Sequence, residues 1–126
     1  MTEAESAARR ARHLGGRRAE ALAALWLACK FYKIVARRYR VRGGEIDIIA
    51  RRGRTVVFVE VKARASLEEA MTAITEEKRR RVSRAASRWL AANPWAASHV
   101  LRADAVFVAP GRLPLHMEAA MELTIG

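Results

Sequence analysis

Between Gly44 and Arg64 the chain carries two apolar, β-branched runs whose charged residues fall at every second position. Gly44-Glu45-Ile46-Asp47-Ile48-Ile49-Ala50 is apolar apart from its two acids. Thr55 to Val59 is β-branched or apolar throughout and leads into Glu60-Val61-Lys62-Ala63-Arg64. Such runs, bounded by glycine-containing links, read as strands. The pattern predicts a strand over Glu45–Ala50, a tight connection at Arg51-Arg52-Gly53-Arg54 and a strand over Thr55–Arg64, paired as a hairpin. Upstream, the spacing predicts a helix from about Arg17 to Lys30. Its middle, Ala21–Cys29, is apolar on every face and is expected to be well buried. Phe31 to Arg40 reads as a turn leading into a first strand at Ile34-Val35-Ala36, with a further turn at Gly43-Gly44. The Ala- and Arg-rich residues before Leu14 read as helical or frayed, and His13-Leu14-Gly15-Gly16 is expected to interrupt the helix.

Downstream, a helix is predicted from about Leu67 to Ala92, stopped by Asn93-Pro94. Met71, Ile74, Val82, Ala85 and Trp89 form its apolar stripe. His99–Val108 is a fourth strand, ended by Pro110-Gly111, and Leu115–Leu123 fits either a short fifth strand or a C-terminal helix. The order α-β-β-β-α-β places the chain in the α/β class. No repeat or linker divides residues 1–126, so one domain is expected.

Charge changes the picture. The formal net charge is +11, which favours polyanionic partners: nucleic acid first, an anionic membrane surface second. A merely solvated basic surface is the plain alternative. The lone Cys29 forms no internal disulfide, which fits a reducing compartment, and its apolar setting suggests a packed, inert thiol. No signal peptide is visible, and the longest apolar run falls short of the ~20 residues a membrane helix needs. These features suggest a cytoplasmic protein without stable membrane insertion. Aromatic residues make up 6% of the chain, too few to suggest a stacking platform for single strands.

The acids inside the hairpin are the candidate chemistry. Strand alternation puts Glu45 and Asp47 on one face of the second strand, and Glu60, Lys62 and Arg64 on one face of the third. If Arg52-Gly53 makes the turn, Glu45 sits opposite Glu60 and Asp47 lies diagonal to it. If Gly53-Arg54 makes the turn, Asp47 sits directly opposite Glu60. Two carboxylates about 5 Å apart repel by roughly 3 kcal/mol at an effective dielectric near 20. A divalent cation would answer that repulsion, because Mg²⁺ takes one or two carboxylates and fills the remaining positions with water. Lys62 would stand beside it, holding an attacking water or stabilising developing charge. The plain alternative is a set of ion pairs between Glu45 or Glu60 and nearby Arg or Lys.

Two further residues fit a site. Glu20 shares a helix face with Ala24, Leu27 and Phe31 and could supply a third carboxylate. It could equally be a first-turn acid at the helix macrodipole. Lys78, centred on the later helix's apolar stripe, either snorkels to its edge or reaches an acidic site. Asp104 reads as a salt-bridge partner of Arg102. His13, His99 and His116 are too scattered to suggest zinc.

The blocks Gly44–Ala50 and Val57–Arg64 resemble the YraN-like bacterial family, an uncharacterised branch of the PD-(D/E)xK nuclease superfamily, with similarity from about Gly16 to Val108. The resemblance implies a restriction-endonuclease-like fold, a mixed central sheet of four to five strands flanked by helices. It implies Asp47 and Glu60 as metal-binding acids for Mg²⁺ or Mn²⁺ and Lys62 as the catalytic lysine. Glu20 and Lys78 would match the helix glutamate and the following helix's basic residue, and Glu45 is a further candidate. The chain has Ala19 where the family commonly has glycine, Ile46 where the superfamily has proline, and no glycine over Ala65–Thr72. The expected activity is metal-dependent endonuclease cleavage of DNA rather than RNA, on branched or repair and recombination intermediates. Arg38, Arg40, Arg42, Arg64, Arg79, Arg80 and Arg81 would contact phosphates, and a homodimer would suit a two-strand substrate. The alternatives are a non-catalytic nucleic-acid-binding protein with the same fold, or a basic partner-binding module.

Overall fold

The computed structural model describes residues 2–126, with the side chains of residues 6–15 outside that set. Helix α1 spans Glu3–Cys29 and starts with a capping box. Thr2 Oγ1 accepts from the Glu5 N–H at 3.1 Å, and Glu5 Oε2 accepts from the Thr2 N–H at 3.1 Å. The expected interruption at Gly15-Gly16 does not occur. A helical glycine costs only about 1 kcal/mol relative to alanine, which the capped start and the docked C-terminal half of α1 offset. His13 lies outside the described side chains.

Five strands follow from the alternating runs: β1 Lys33–Val41, β2 Gly44–Arg52, β3 Thr55–Ala63, β4 Val100–Val108 and β5 Leu115–Met121. They form one sheet in the order β1-β2-β3-β4-β5. Only β3 and β4 are parallel; the other neighbours are antiparallel. The fold is therefore a mixed five-stranded α/β sheet flanked by helices. The ambiguous C-terminal segment is a strand, hydrogen-bonded to β4 from Phe107↔Leu115 to Ala103↔Met121. β1 continues through Tyr39 to Val41, well past the short apolar run that signals it.

The parallel step from β3 to β4 carries the helices that cover one sheet face. The single predicted helix over 67–92 is two: α2 Leu67–Thr72 and α3 Glu76–Ala92. Each has its own N-cap, Ser66 accepting from the Glu69 N–H and Thr75 from the Lys78 N–H, both at 3.2 Å. The second cap restarts the helix at Thr75. Met71 is thereby removed from the stripe and is exposed. A short 3₁₀ turn at Pro94–Ser98 delivers the chain into β4.

Alternation along β3 divides the core in two. Val56 and Phe58 pack with Val82, Ala85, Ala86 and Trp89 of α3. Val57 and Val59 pack with Ala23 and Leu27 of α1. Burial of α1 is narrower than expected. Ala19, Ala23 and Leu27 are buried, whereas Leu22 and Leu25 are 40% and 61% exposed. A helix lying on an open sheet face has only one side to bury, and none of the described residues covers its back. Cys29 is likewise exposed rather than packed. No described helix is long and apolar enough to cross a membrane.

Candidate active site at the β2–β3 divergence

Register is set by the loop between β2 and β3. Arg52 pairs with Thr55, so the loop is Gly53-Arg54, with Gly53 at φ 60°. A positive φ at the first loop position is the type II′ requirement. Of the two registers open to the sequence, this is the one that sends Asp47 toward Glu60. The backbone pairs run Arg52↔Thr55, Arg51↔Val56, Ala50↔Val57, Ile49↔Phe58 and Ile48↔Val59, and then stop. Beyond that point β2 remains paired to β1 through Ile46, Glu45 and Gly44, while β3 continues beside β4. The strands part at the acids.

Asp47 fills the gap. Its Oδ2 accepts a hydrogen bond from the Val61 N–H at 2.8 Å, in place of the missing backbone partner. The facing of β2 also slips here: Ile46 and Ile49 pack on the α3 side, and Ile48 and Ala50 on the α1 side. Simple alternation would keep Ile46 and Ile48 together. The slip coincides with Arg38, which lies opposite Asp47 between the pairs Arg37↔Ile48 and Tyr39↔Ile46 and has φ 52°. Asp47 thus meets Glu60 at a strand divergence rather than as a ladder partner on one regular face.

Burial pushes the Asp47 carboxyl up to about 7, and repulsion from Glu60 and Glu20 adds to it. The Val61 N–H and the Lys62 ammonium act in the opposite direction without cancelling it. Glu60 is the better compensated acid. It is 2% exposed, and its Oε1 lies 2.8 Å from Lys62 Nζ and 3.9 Å from Lys78 Nζ. Lys78 Nζ is also 3.7 Å from Glu45 Oε1. Of its two expected roles, Lys78 therefore takes the reach into the acidic cluster. A cation in the first turn of α3 opposes the helix dipole, and these two carboxylates supply the compensation.

Glu20 sits deep within α1, far from the first turn, so its macrodipole role is ruled out. Both of its oxygens accept from Arg38 Nε, at 3.0 and 3.3 Å. The remaining arginines divide. Arg79 is spent on structure: it binds Glu76, the Glu122 carbonyl and Thr124 Oγ1. Arg80 lies 3.6 Å from Glu76, Arg40 lies 3.8 Å from Glu45, and Arg64 donates to the Ala63 carbonyl. Arg42 is exposed and Arg81 half-buried.

A second polar cluster lies outside these residues. Asp104 is fully buried and accepts from Arg102 Nε and a terminal Arg102 nitrogen, both at 2.8 Å, as expected of that pair. His116 Nε2 is 2.7 Å from Asp104 Oδ2, and its Nδ1 is 2.7 Å from Lys30 Nζ. Nothing in the sequence pattern connects Lys30, His116 and Asp104, because three separate elements supply them. The cluster locks the end of α1 onto β4 and β5.

Among the described residues, no three His, Cys, Asp or Glu side chains gather closely enough to hold a metal by themselves. Asp47 and Glu60 remain as a two-carboxylate set, a number that suits Mg²⁺ with water completing its shell.

Similar proteins cover nearly the whole chain. A UPF0102 protein of Methylocella silvestris is 58% identical over 118 residues, 94% of this chain and 95% of its own length. One from Methylorubrum extorquens is 60% identical over 117 residues, 93% of this chain and 91% of its own. One from Mesorhizobium japonicum is 52% identical over 120 residues, 95% of this chain and 96% of its own. Residues 19–108, which run from the docked half of α1 to the end of β4, match the family described as Uncharacterised protein family UPF0102, and the chain belongs to that family.

Proposed function

We propose that this protein is a Mg²⁺- or Mn²⁺-dependent nuclease of the PD-(D/E)xK type, with the restriction-endonuclease-like variant of the α/β fold, acting on DNA in preference to RNA. The observation that carries the reading is Asp47. A carboxyl pushed up to about 7 by burial and two neighbouring acids is only partly compensated by the Val61 N–H and the Lys62 ammonium. A hard divalent ion fits that deficit, since its ligands are oxygens and its charge would stabilise the ionised form. Bound there, it would supply Lewis acidity and a more acidic water.

The protein's own groups divide the work. Asp47 and Glu60 present the oxygens. The Val61 N–H fixes the Asp47 carboxylate, so one of its oxygens is oriented before any ligand arrives. Lys62, held 2.8 Å from Glu60, keeps an ammonium beside the carboxylates, where it would donate to a phosphodiester oxygen or an attacking water. Lys78 balances Glu60 and Glu45 from the other side. Surplus positive charge elsewhere draws in the polyanion.

The test is cleavage of branched, duplex and single-stranded DNA with Mg²⁺ or Mn²⁺, comparing wild type with Glu60→Ala and Lys62→Ala. Cleavage by wild type alone supports the reading. A second reading has its own observation: both lysines already neutralise Glu60, as a structural ion-pair set would. Tight, salt-sensitive binding of DNA with no cleavage by any form selects that non-catalytic alternative.

A further inference from the structure

We propose that Arg17, Arg37 and Arg38 form a phosphate-binding subsite for a nucleic-acid strand, and that Arg38 exchanges Glu20 for a phosphate when the strand binds. The three arginines line one groove of about 380 Å³. Arg17 lies three residues before Glu20, on the same face of α1. Arg38 lies across from Asp47 on β1. The groove is therefore beside the acidic cluster rather than at a remote basic surface.

Its charges are available. Neither Arg17 nor Arg37 has a carboxylate partner among the described residues, and Arg38 has Glu20 alone. Arg38 meets Glu20 through Nε only, so its two terminal nitrogens make no hydrogen bond among the described residues. A guanidinium engaged at one edge retains the fork that recognises a phosphate in bidentate fashion. The side chain is also 36% exposed, against 12% for Glu20. The backbone points the same way: at φ 52° Arg38 occupies a conformation that residues with a β-carbon rarely adopt, and such outliers cluster at ligand clamps.

The exchange has a consequence at the site. While Arg38 holds it, the Glu20 carboxylate is neutralised. Once Arg38 turns to a phosphate, Glu20 is released beside Asp47, and the local negative charge rises when substrate is present. This step rests on the nuclease reading; the subsite itself needs only an anion.

Arginine-resolved NMR of the full chain separates the two. Titration with inorganic phosphate, and then with a short single-stranded DNA in metal-free buffer, should shift the Nε–Hε signals of Arg17, Arg37 and Arg38. Arg17→Ala with Arg37→Ala should weaken DNA binding about tenfold and lower the salt slope by roughly 1.4. Glu20→Gln should tighten binding about two- to fivefold by releasing Arg38. Phosphate shifting these signals while DNA does not bind would uphold the subsite and overturn both the exchange with a strand and the nuclease reading. DNA binding that leaves the three signals and the double variant unchanged would overturn the subsite alone. No response to either anion would overturn it outright.

Discussion

Asp47 Oδ2 and the Val61 N–H are joined at 2.8 Å, and this single bond closes the gap where β2 leaves β3. It holds a poorly compensated carboxylate in a half-buried place. The same geometry that makes Asp47 useful to a cation makes it costly to the free fold.

The cost predicts an unusual pH profile. The Asp47 carboxyl is raised from 3.8 to about 7, so between those values the folded state binds a proton that the unfolded chain does not. Stability should be greatest on the acid side of this window and fall as pH rises, by about 2–3 kcal/mol from pH 5 to pH 8. Urea denaturation across that range measures it. Asp47→Asn keeps an oxygen for Val61 and should flatten the profile; a profile unchanged by this substitution would refute the assignment.

Millimolar Mg²⁺ should raise Tm at pH 8 and have progressively less effect as pH falls through 7, because protonated Asp47 is a poor ligand. Thermal scans of wild type and Asp47→Asn with and without the ion are the measurement. Equal shifts in both proteins would mean the ion binds elsewhere.

Asp104 should behave in the opposite sense. Burial alone would raise it, but hydrogen bonds from His116, Arg102 and the Ala119 N–H hold it down at about 2. Its contribution is complete above 3.8 and is lost as pH falls toward 2, below the Asp47 window. Asp104→Asn should destabilise the fold by about 2–4 kcal/mol, since it removes the buried charge facing Arg102 and leaves that guanidinium only the Tyr32 hydroxyl at 2.8 Å and the exposed Glu118 at 3.5 Å. Urea midpoints at neutral pH should separate the two substitutions, with Asp47→Asn neutral or stabilising.

Gly44→Ala tests how closely α3 is seated. A β-carbon there would lie 2.5 Å from the Arg81 carbonyl oxygen and 2.9 Å from the Ala85 nitrogen, both backbone atoms. The helix must shift, at a cost of about 1–3 kcal/mol. Lys78, one turn earlier, moves with it, so the nucleolytic activity proposed above should fall on the order of tenfold or more. Activity preserved in a destabilised variant would detach Lys78 from the site.

Phe31 gives a prediction free of the site. It closes α1 in a Schellman arrangement, with the Tyr32 N–H bonded to the Leu27 carbonyl and the Phe31 N–H to the Ala28 carbonyl, both at 3.0 Å. Its φ is 70°, where glycine is favoured, and its side chain is 86% exposed. Phe31→Gly should stabilise by about 1 kcal/mol in urea. A loss would show that the ring makes contacts outside this chain, as in an oligomer.

Much of the fold was legible because its signals are local. Alternation identified β2 and β3, Pro94 and Pro110-Gly111 marked ends, and the link at Gly53 announced a hairpin. The extent of β1 was hidden, because Arg37, Arg38 and Arg40 mask the alternation of an edge strand. The split between α2 and α3 was missed because apolar spacing runs through it, whereas the Thr75 cap that breaks it is a single hydroxyl. The exposed back of α1 was misread for a plainer reason: composition reports how apolar a helix is, and only the number of layers decides how many of its sides are covered.

The sequence by itself determined the strand pair and the common direction of Glu60 and Lys62, since a period of two leaves little else; the register and the divergence of β2 from β3 that bring Asp47 to Glu60 were decided by the tertiary structure. Tertiary structure decided which cation meets which acid. Lys78 reaching Glu60, Arg38 reaching Glu20 and His116 reaching Asp104 each join segments far apart in the chain. The long side chains of Lys78 and Arg38 have no preferred partner until the packing of α3 and α1 on the sheet supplies one, and His116 meets Asp104 only once β5 pairs with β4.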